Sequence, residues 1–332
     1  MKTNKLQWGI LSTANINRAL IPHLQNSAHS ELRAVASRDL GRAQAYALQK
    51  GIPVAYGSYE ALLADPAIDI IYNPLPNHLH AEWSIKALQA GKHVLCEKPI
   101  ALTLAEMDAM IAAAQQTGRV LTEAFMYRHH SQTLQVQKLA AEGALGEIRL
   151  MRGHFSFNME DPDNVRWAPE MGGGSLWDVG CYPVSFARTV IGQAPLEVFG
   201  WQENSVGVDT TFAGLVRFPN DVTLHFDCSF GVPLRAEMEI AGSQASLFIP
   251  QPFKPEAQSV IYLKGDEGQT KEIRIQSNPL YFDEVEDMAQ AVLHGAQPRV
   301  SLADSRINTA TLAALYRSAQ TNQPVKLSDL ES

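Results

Sequence analysis

Along the first third of the chain, short apolar runs alternate with segments of helical spacing. Residues 6–11, 32–37, 54–56, 68–72, 93–96 and 120–125 read as strands, and 18–25, 41–50, 59–64, 78–90 and 104–116 as the helices between them. The run at 68–72 is unbroken and β-branched, the mark of a strand covered on both faces. Within 78–90 the positions Trp83, Ile85 and Leu88 fall at helical spacing; Gly91 closes that helix, as Gly118 closes the next. Strands and helices alternating at this rhythm predict right-handed βαβ units and a parallel, doubly wound sheet.

The period changes in the second half. Residues 147–157, 208–218, 222–230 and 235–240 alternate apolar with polar, and Gly200, Pro219 with Asn220, Gly231 and Gly242 mark turns. This predicts an open antiparallel sheet with helices on one face, the other face being wet or covered by a partner. Residues 281–293 and 302–319 return to helical spacing and could pack back on the first domain. The expected organisation is an α/β domain at 1–125 followed by an α+β domain at 126–332.

Composition narrows the function classes. A chain of 332 residues suggests two domains. With 45% hydrophobic and 19% charged residues it is neither disordered, collagen-like nor a coiled coil. The 27 basic and 35 acidic residues leave a net charge of −8 with no basic stripe, which argues against nucleic-acid or anionic-membrane partners. A small anionic ligand could still find a local positive spot. Cys96, Cys181 and Cys228 are odd in number and far apart, neither a disulfide framework nor a zinc pattern. Residues 1–7 lack the apolar core of a signal peptide and no 18-residue apolar stretch occurs, so a soluble protein of the reducing cytoplasm is expected.

In a doubly wound sheet the ligand crevice lies beyond the carboxyl ends of the strands, beginning at the turn after the first. That turn reads Gly9, Ile10, Leu11, Ser12, Thr13, Ala14, Asn15, Ile16. A dinucleotide fingerprint carries Gly where Ser12 and Ala14 stand. Both residues are small, so the backbone can still approach a pyrophosphate at the helix start, and Ser12 can add a hydroxyl donor. Many strand–turn–helix junctions carry small residues, and the turn alone decides nothing. At the end of the second strand, Ser37 and Arg38 stand where NAD-binding folds carry an acidic residue, and an Arg there suits the 2′-phosphate of NADP. Asp39 could instead take a ribose hydroxyl, which keeps NAD open. His78 with His80, and His129 with His130, lack carboxylate or Cys companions at ligand spacing, so no metal is expected.

Cys96, Glu97, Lys98 and Pro99 follow a buried strand and open a helix, and Pro76, Asn77, His78, Leu79 and His80 follow the strand before it. Gly172, Gly173 and Gly174 precede Asp178, Val179, Gly180, Cys181, Tyr182 and Pro183. In this order the motifs resemble the Gfo/Idh/MocA oxidoreductase family over nearly the whole chain, and within it the branch of dimeric dihydrodiol dehydrogenases and NADP-dependent D-xylose dehydrogenases. The departures are the two missing glycines and Tyr182, where inositol-type members have His.

The resemblance implies a Rossmann-type N-terminal domain and a C-terminal domain that carries substrate and subunit contacts. It implies a cofactor surface of Gly9, Leu11, Ser12, Thr13, Ala14, Asn15, Ile16, Ser37, Arg38, Asn73, Pro74, Leu75, Pro76, His80, Glu97 and Lys98, with Trp167 and Tyr281 near the nicotinamide. His80 could equally be a hydrogen-bonding residue at a helix start, and Trp167 and Tyr281 ordinary packing. Lys98, Tyr182 and Asp178 would carry the chemistry. Oxidising a carbinol by hydride transfer needs a base for the hydroxyl proton and a cation for the alkoxide. A phenol with a pKa near 10 is a poor base until an ammonium within about 4–6 Å favours its anion. Asp178 and Tyr182 are four apart and share a face if the segment is helical, so Asp178 could orient Lys98 or a sugar hydroxyl. Gly180 and Pro183 argue against a regular helix there, and a capping carboxylate is the other reading of Asp178.

The expected function is therefore an NADP(H)-dependent oxidoreductase, with NAD possible, acting on a sugar, polyol or cyclic diol. A homodimer or homotetramer is expected to form through the open sheet face, with Phe212, Leu215, Val222, Leu224 and Phe226 as candidate contacts. Two other classes share the fold. A non-catalytic dinucleotide- or sugar-sensing regulator has no need for both Lys98 and Tyr182. An NAD-dependent glycosidase would keep its cofactor through gel filtration, whereas a dehydrogenase exchanges it.

Overall fold

A computed structural model of the chain describes residues 5–330; residues 1–4, part of the polar start read above, lie outside it. Two compact units emerge. The first runs to Met126 and takes in Tyr281–Arg306; the second comprises Tyr127–Leu280 and the chain from Ile307 onward.

The first unit is built from β1 (Leu6–Leu11), α1 (Asn17–Asn26), β2 (Ser30–Ala36), α2 (Leu40–Lys50), β3 (Val54–Tyr56), α3 (Tyr59–Leu63), β4 (Ile70–Asn73), α4 (His80–Gln89), β5 (His93–Glu97), α5 (Leu104–Thr117) and β6 (Leu121–Ala124). Its six strands are parallel, in the order β3-β2-β1-β4-β5-β6. The order reverses between β1 and β4, which opens the ligand crevice at their carboxyl ends. Side chains alternate between two apolar layers. Trp8, Ile10, Ile70, Tyr72 and Leu95 pack with Leu20 and Leu24 of α1 and with Val285 and Met288 from near the C-terminus. Leu11, Ile71, Val94 and Cys96 pack with Leu62, Leu88 and Met107 on the other face. Coverage on both faces is why β4 reads as one apolar run.

The second unit contains α6 (Ser131–Ala141), β7 (Ile148–Ser156), a π-turned segment Leu176–Gly180 that runs directly into α7 (Cys181–Ile191), and the strands β8 (Glu197–Asn204), β9 (Asp209–Arg217), β10 (Thr223–Ser229), β11 (Arg235–Gly242), β12 (Ala245–Ile249), β13 (Gln258–Gly265) and β14 (Thr270–Gln276). The chain then forms α8 (Phe282–His294) in the first unit, α9 (Leu302–Thr321), and a short β15 (Val325–Lys326). The nine strands are ordered β14-β13-β12-β11-β7-β10-β9-β8-β15. All neighbours are antiparallel except β7 and β10, which run parallel because α7, β8 and β9 return the chain to the side from which β7 started. The open antiparallel sheet expected above is present, with one parallel pair inside it; alternation fixes a strand's faces, not its direction.

Register decides which of the five candidate contacts point outward. His225 stands opposite Leu215, and Leu215 opposite Phe199, whereas Phe226 stands opposite Gly214. Phe212, Val222, Leu224 and Phe226 are therefore buried with the helices, and of the five only Leu215 faces outward, 39% exposed. Phe199 and Trp201 join it, at 41% and 55%. No helix among the described residues is long and apolar enough to cross a membrane.

Candidate active site

In the first unit, the turn after β1 keeps the shape that the missing glycine would have given it. Ser12 has φ +75°, the left-handed conformation that L-residues rarely adopt. Its amide donates to the Ala36 carbonyl at 2.9 Å, and the buried Asn17 side chain donates to its carbonyl at 3.0 Å. The Ser12 hydroxyl is shielded and has no protein partner. No side chain caps α1 and no acidic residue stands in its first turn, so the positive end of the helix is not neutralised from within. An orphaned hydroxyl beside an uncapped helix start fits a phosphate-bearing ligand. At the end of β2, Ser37 is buried and Arg38 exposed. The Asp39 carboxylate accepts from the Arg42 amide at 2.6 Å as the cap of α2, and the Arg42 guanidinium donates to Thr13 at 2.9 Å.

The loops after β4 and β5 are tied to each other. Asn73, fully buried, donates to the His80 carbonyl at 3.1 Å and to Ser84 at 3.0 Å, and accepts from the Leu75 amide at 3.3 Å. The buried His80 ring has Nδ1 2.8 Å from the Pro99 carbonyl and Nε2 2.7 Å from the Leu75 carbonyl. Burial pushes its pKa down to about 4, so the ring is neutral near pH 7 and its single N–H serves one carbonyl at a time. His80 thus joins the loop that carries Lys98 to the loop of Pro74, Leu75 and Pro76. Glu97 accepts from the Tyr72 hydroxyl at 2.6 Å and from the Lys98 amide at 3.3 Å. Nearby on α8, Glu284 is buried with neither carboxyl oxygen hydrogen-bonded, and burial, then the charge of Glu97, push its pKa well up. Tyr281 stacks on His23 with ring centroids 6.3 Å apart, and burial followed by Glu97 raises its pKa.

In the second unit, Asp178 lies in the π-turned segment. Its carboxylate pairs with the Arg166 guanidinium at 2.6 Å, and Asn164 holds Arg166 through both backbone and side chain. The widened turn followed by α7 keeps Asp178 and Tyr182 in one helical run despite Gly180 and Pro183. π-turns of this kind recur at functional sites. The Tyr182 ring is boxed by Tyr127, Phe155 and Phe253 at centroid distances of 5.8, 5.3 and 5.4 Å. Trp167 packs on Phe230 at 5.3 Å and donates from its indole to the Asp161 carbonyl at 3.0 Å.

The start of this segment is held from behind by Asp209, the first residue of β9. Asp209 is buried and accepts from Ser175 Oγ and the Leu176 amide, each at 2.7 Å, and from the Tyr316 hydroxyl at 2.5 Å. Burial raises its pKa while these donors pull it back. The triple glycine follows from this crowding: a Cβ on Gly174 would collide with the Asp209 carboxylate, and one on Gly173 with the Arg166 carbonyl.

Sequence reasoning did not single out Glu284, Asp209 or the aromatic box. Glu284 had a readable signal, a carboxylate four residues before Met288 on the apolar face of α8. Asp209 had none, because its partners lie 33 to 107 positions away. Among the described residues no group of three or more His, Cys, Asp or Glu could hold a metal ion, and the three cysteines are buried thiols outside any disulfide.

Comparison with known proteins places these features in a family. The model for the Gfo/Idh/MocA oxidoreductase family, with its NAD-binding Rossmann fold, matches residues 6–125, and that for the Gfo/Idh/MocA C-terminal domain matches residues 133–248. A D-xylose 1-dehydrogenase (NADP(+)) from Haloferax volcanii is 38% identical over 97% of this chain and 100% of its own. A trans-1,2-dihydrobenzene-1,2-diol dehydrogenase from Macaca fuscata fuscata is 36% identical over 72% of each chain. Among solved structures, a 3-ketoreductase from Actinomadura kijaniata in complex with NADP and TDP-benzene superposes with a TM-score of 0.90 at 30% identity, over 95% of this chain and 98% of that one.

Proposed function

The chain belongs to the Gfo/Idh/MocA oxidoreductase family, and from that premise we propose that it is an NADP(H)-dependent dehydrogenase or reductase, transferring hydride between the nicotinamide and a hydroxyl or carbonyl carbon of a sugar, polyol or cyclic diol. The observation that carries the reading is the turn at Ser12, left-handed and with an orphaned hydroxyl, at the switch point of a parallel sheet. The named activities of the xylose and dihydrodiol dehydrogenases support the substrate class.

When bound, the dinucleotide supplies the hydride acceptor for alcohol oxidation, or the donor in the reverse direction. Ser12, Thr13 and the start of α1 hold its pyrophosphate, and Ser37 with Arg38 holds the 2′-phosphate. Asp39, engaged at the α2 cap, supports that assignment because its charge is directed to a backbone amide. Tyr182 takes the hydroxyl proton, with its aromatic box fixing the ring. The Lys98 ammonium favours the phenolate and the developing alkoxide. Asp178, oriented by Arg166, accepts from a substrate hydroxyl. The chain self-associates through the outward face of its larger sheet, where Phe199, Trp201 and Leu215 are exposed.

The test is a panel of aldoses, polyols, cyclic diols and ketosugars with NADP+, NADPH and NAD+, read at the nicotinamide absorbance band. Turnover of at least one polyhydroxylated or cyclic diol substrate, faster with the phosphorylated cofactor, is expected. Tight retention of NAD through gel filtration, with glycoside cleavage and no net reduction, would replace the reading.

A further inference from the structure

Asp209 has no place in the chemistry proposed above, yet it is a buried carboxylate with three hydrogen-bond donors beside the segment that performs it. Its two oxygens take three donors, Ser175 Oγ, Leu176 N and Tyr316 Oη. The first two belong to the residues that begin the π-turned segment. A helical start leaves its first amides without intrahelical partners, and Ser175, the local cap position, makes no side-chain cap. Asp209 supplies the missing acceptor from another strand, with a negative charge at the end of the turn that favours one. The peptide groups on either side of Gly174, just before this turn, are fixed as well. Gly174 N donates to the Arg166 carbonyl at 3.0 Å, and Asp178 N donates to the Gly174 carbonyl at 3.1 Å. Arg166 then closes the loop by pairing with the Asp178 carboxylate. Gly174, with φ +119°, leaves room for a carboxylate where any side chain would stand.

We propose that Asp209 is a positioning residue for Asp178, acting through the Ser175–Leu176 turn, with Tyr316 holding the carboxylate in place. The inference rests on the role proposed for Asp178. Three donors on one buried group define a single position for the turn, and a displacement of a fraction of an ångström at Leu176 is carried two residues on to the Asp178 carboxylate. The Asp178–Arg166 pair cannot correct it alone, because Arg166 is anchored to Gly174 through its own carbonyl.

The experiment compares Asp178→Asn, Asp209→Asn and the double variant in the full-length protein, with the best substrate of the panel, and measures kcat, dinucleotide Kd by nicotinamide fluorescence, and the thermal midpoint. Asp178→Asn should lower kcat by roughly 10²-fold, the range of a group acting at the reacting centre. Asp209→Asn should lower kcat about tenfold with dinucleotide Kd within about twofold, and in the Asp178→Asn background it should cost less than about threefold, because residues acting through one another are not additive. A merely structural role predicts a lower thermal midpoint with losses that multiply in the double variant, and that result would overturn the inference. Should Asp209→Asn fail to fold, Tyr316→Phe removes one donor only; it should lower kcat about threefold alone and not at all beside Asp178→Asn. A damaged Asp178→Asn beside an intact Asp209→Asn overturns this inference alone, whereas an unimpaired Asp178→Asn removes the role of Asp178 and the inference with it.

Discussion

Asp39 places its carboxylate on the Arg42 amide, 2.6 Å away, a cap of the kind worth about 1 kcal/mol to a helix. The neighbouring Arg38 guanidinium is left to the solvent side of β2, which on the proposed reading is where the adenosine ribose lies. A charge-assisted bond from a guanidinium to phosphate contributes roughly 1.5–3 kcal/mol net. At about 1.4 kcal/mol per tenfold that is an NADP preference of about 10- to 150-fold. Arg38→Ala should weaken NADP by that factor and leave NAD nearly unchanged, and moderate salt should erode the wild-type preference because an exposed phosphate contact is screened. Dissociation constants for both cofactors at two salt concentrations check this; equal losses for NADP and NAD would discard Arg38 as the selector. At this scale Ser12, Ser37 and Arg38 stand out in the sequence by type and place. The left-handed backbone at Ser12 does not, since a serine gives no hint of positive φ. Nor does the bridging role of His80, whose acceptors sit on two separate loops.

At the scale of elements, β5 carries a proton switch in its first residue. His93 Nδ1 accepts from the Val120 amide at 3.0 Å, which only a deprotonated nitrogen can do, and the Arg119 guanidinium lies 3.4 Å from Nε2. Burial first, then Arg119, lower its pKa from 6.5 to about 4. As pH falls from 7, the unfolded chain therefore binds a proton that the folded chain refuses. The contribution is complete above about 6.5 and is lost progressively down to about 4. The ring is half-buried, so the loss is discounted to about 1–2 kcal/mol. His80 titrates in the same direction and steepens the same window. In urea unfolding, His93→Asn should flatten the fall in stability between pH 7 and 5 by about 1 kcal/mol; an unchanged slope would remove His93 from the account.

The elements of the first unit were readable because strand and helix periods alternate there and several of its helices stop at a glycine, as at Gly51, Gly91 and Gly118. In the second unit β8, β12, β13 and β14 escaped notice. In β8 and β12 the outward positions Phe199, Trp201 and Phe248 are large and apolar, so the alternation that reveals a half-buried strand is blurred; β14 does alternate, with Ile273 and Ile275 between Glu272, Arg274 and Gln276. The helix α6 was also missed, its buried positions Gln132, Thr133 and Val136 giving no apolar stripe.

For the whole molecule, the outward face of the larger sheet sets the expected assembly. Phe199, Trp201 and Leu215 share it with Arg152, His225 and Asp227 across β8, β9, β10 and β7. An apolar centre with a charged rim is the anatomy of a protein interface. Replacing Trp201 or Leu215 by Glu should weaken self-association by at least about 30-fold, the effect of losing a central contact worth about 2 kcal/mol. Sedimentation of the wild type as a monomer at micromolar concentration would contradict the proposal.

The central claim is that Lys98 works in hydride-transfer chemistry rather than in holding the dinucleotide. A single comparison tests it: steady-state turnover and NADPH affinity of Lys98→Ala against the wild type at neutral pH. Turnover lower by about 10²-fold or more with NADPH affinity within a few-fold is the predicted result. Turnover within a few-fold of wild type, or parallel loss of cofactor binding and turnover, would contradict it.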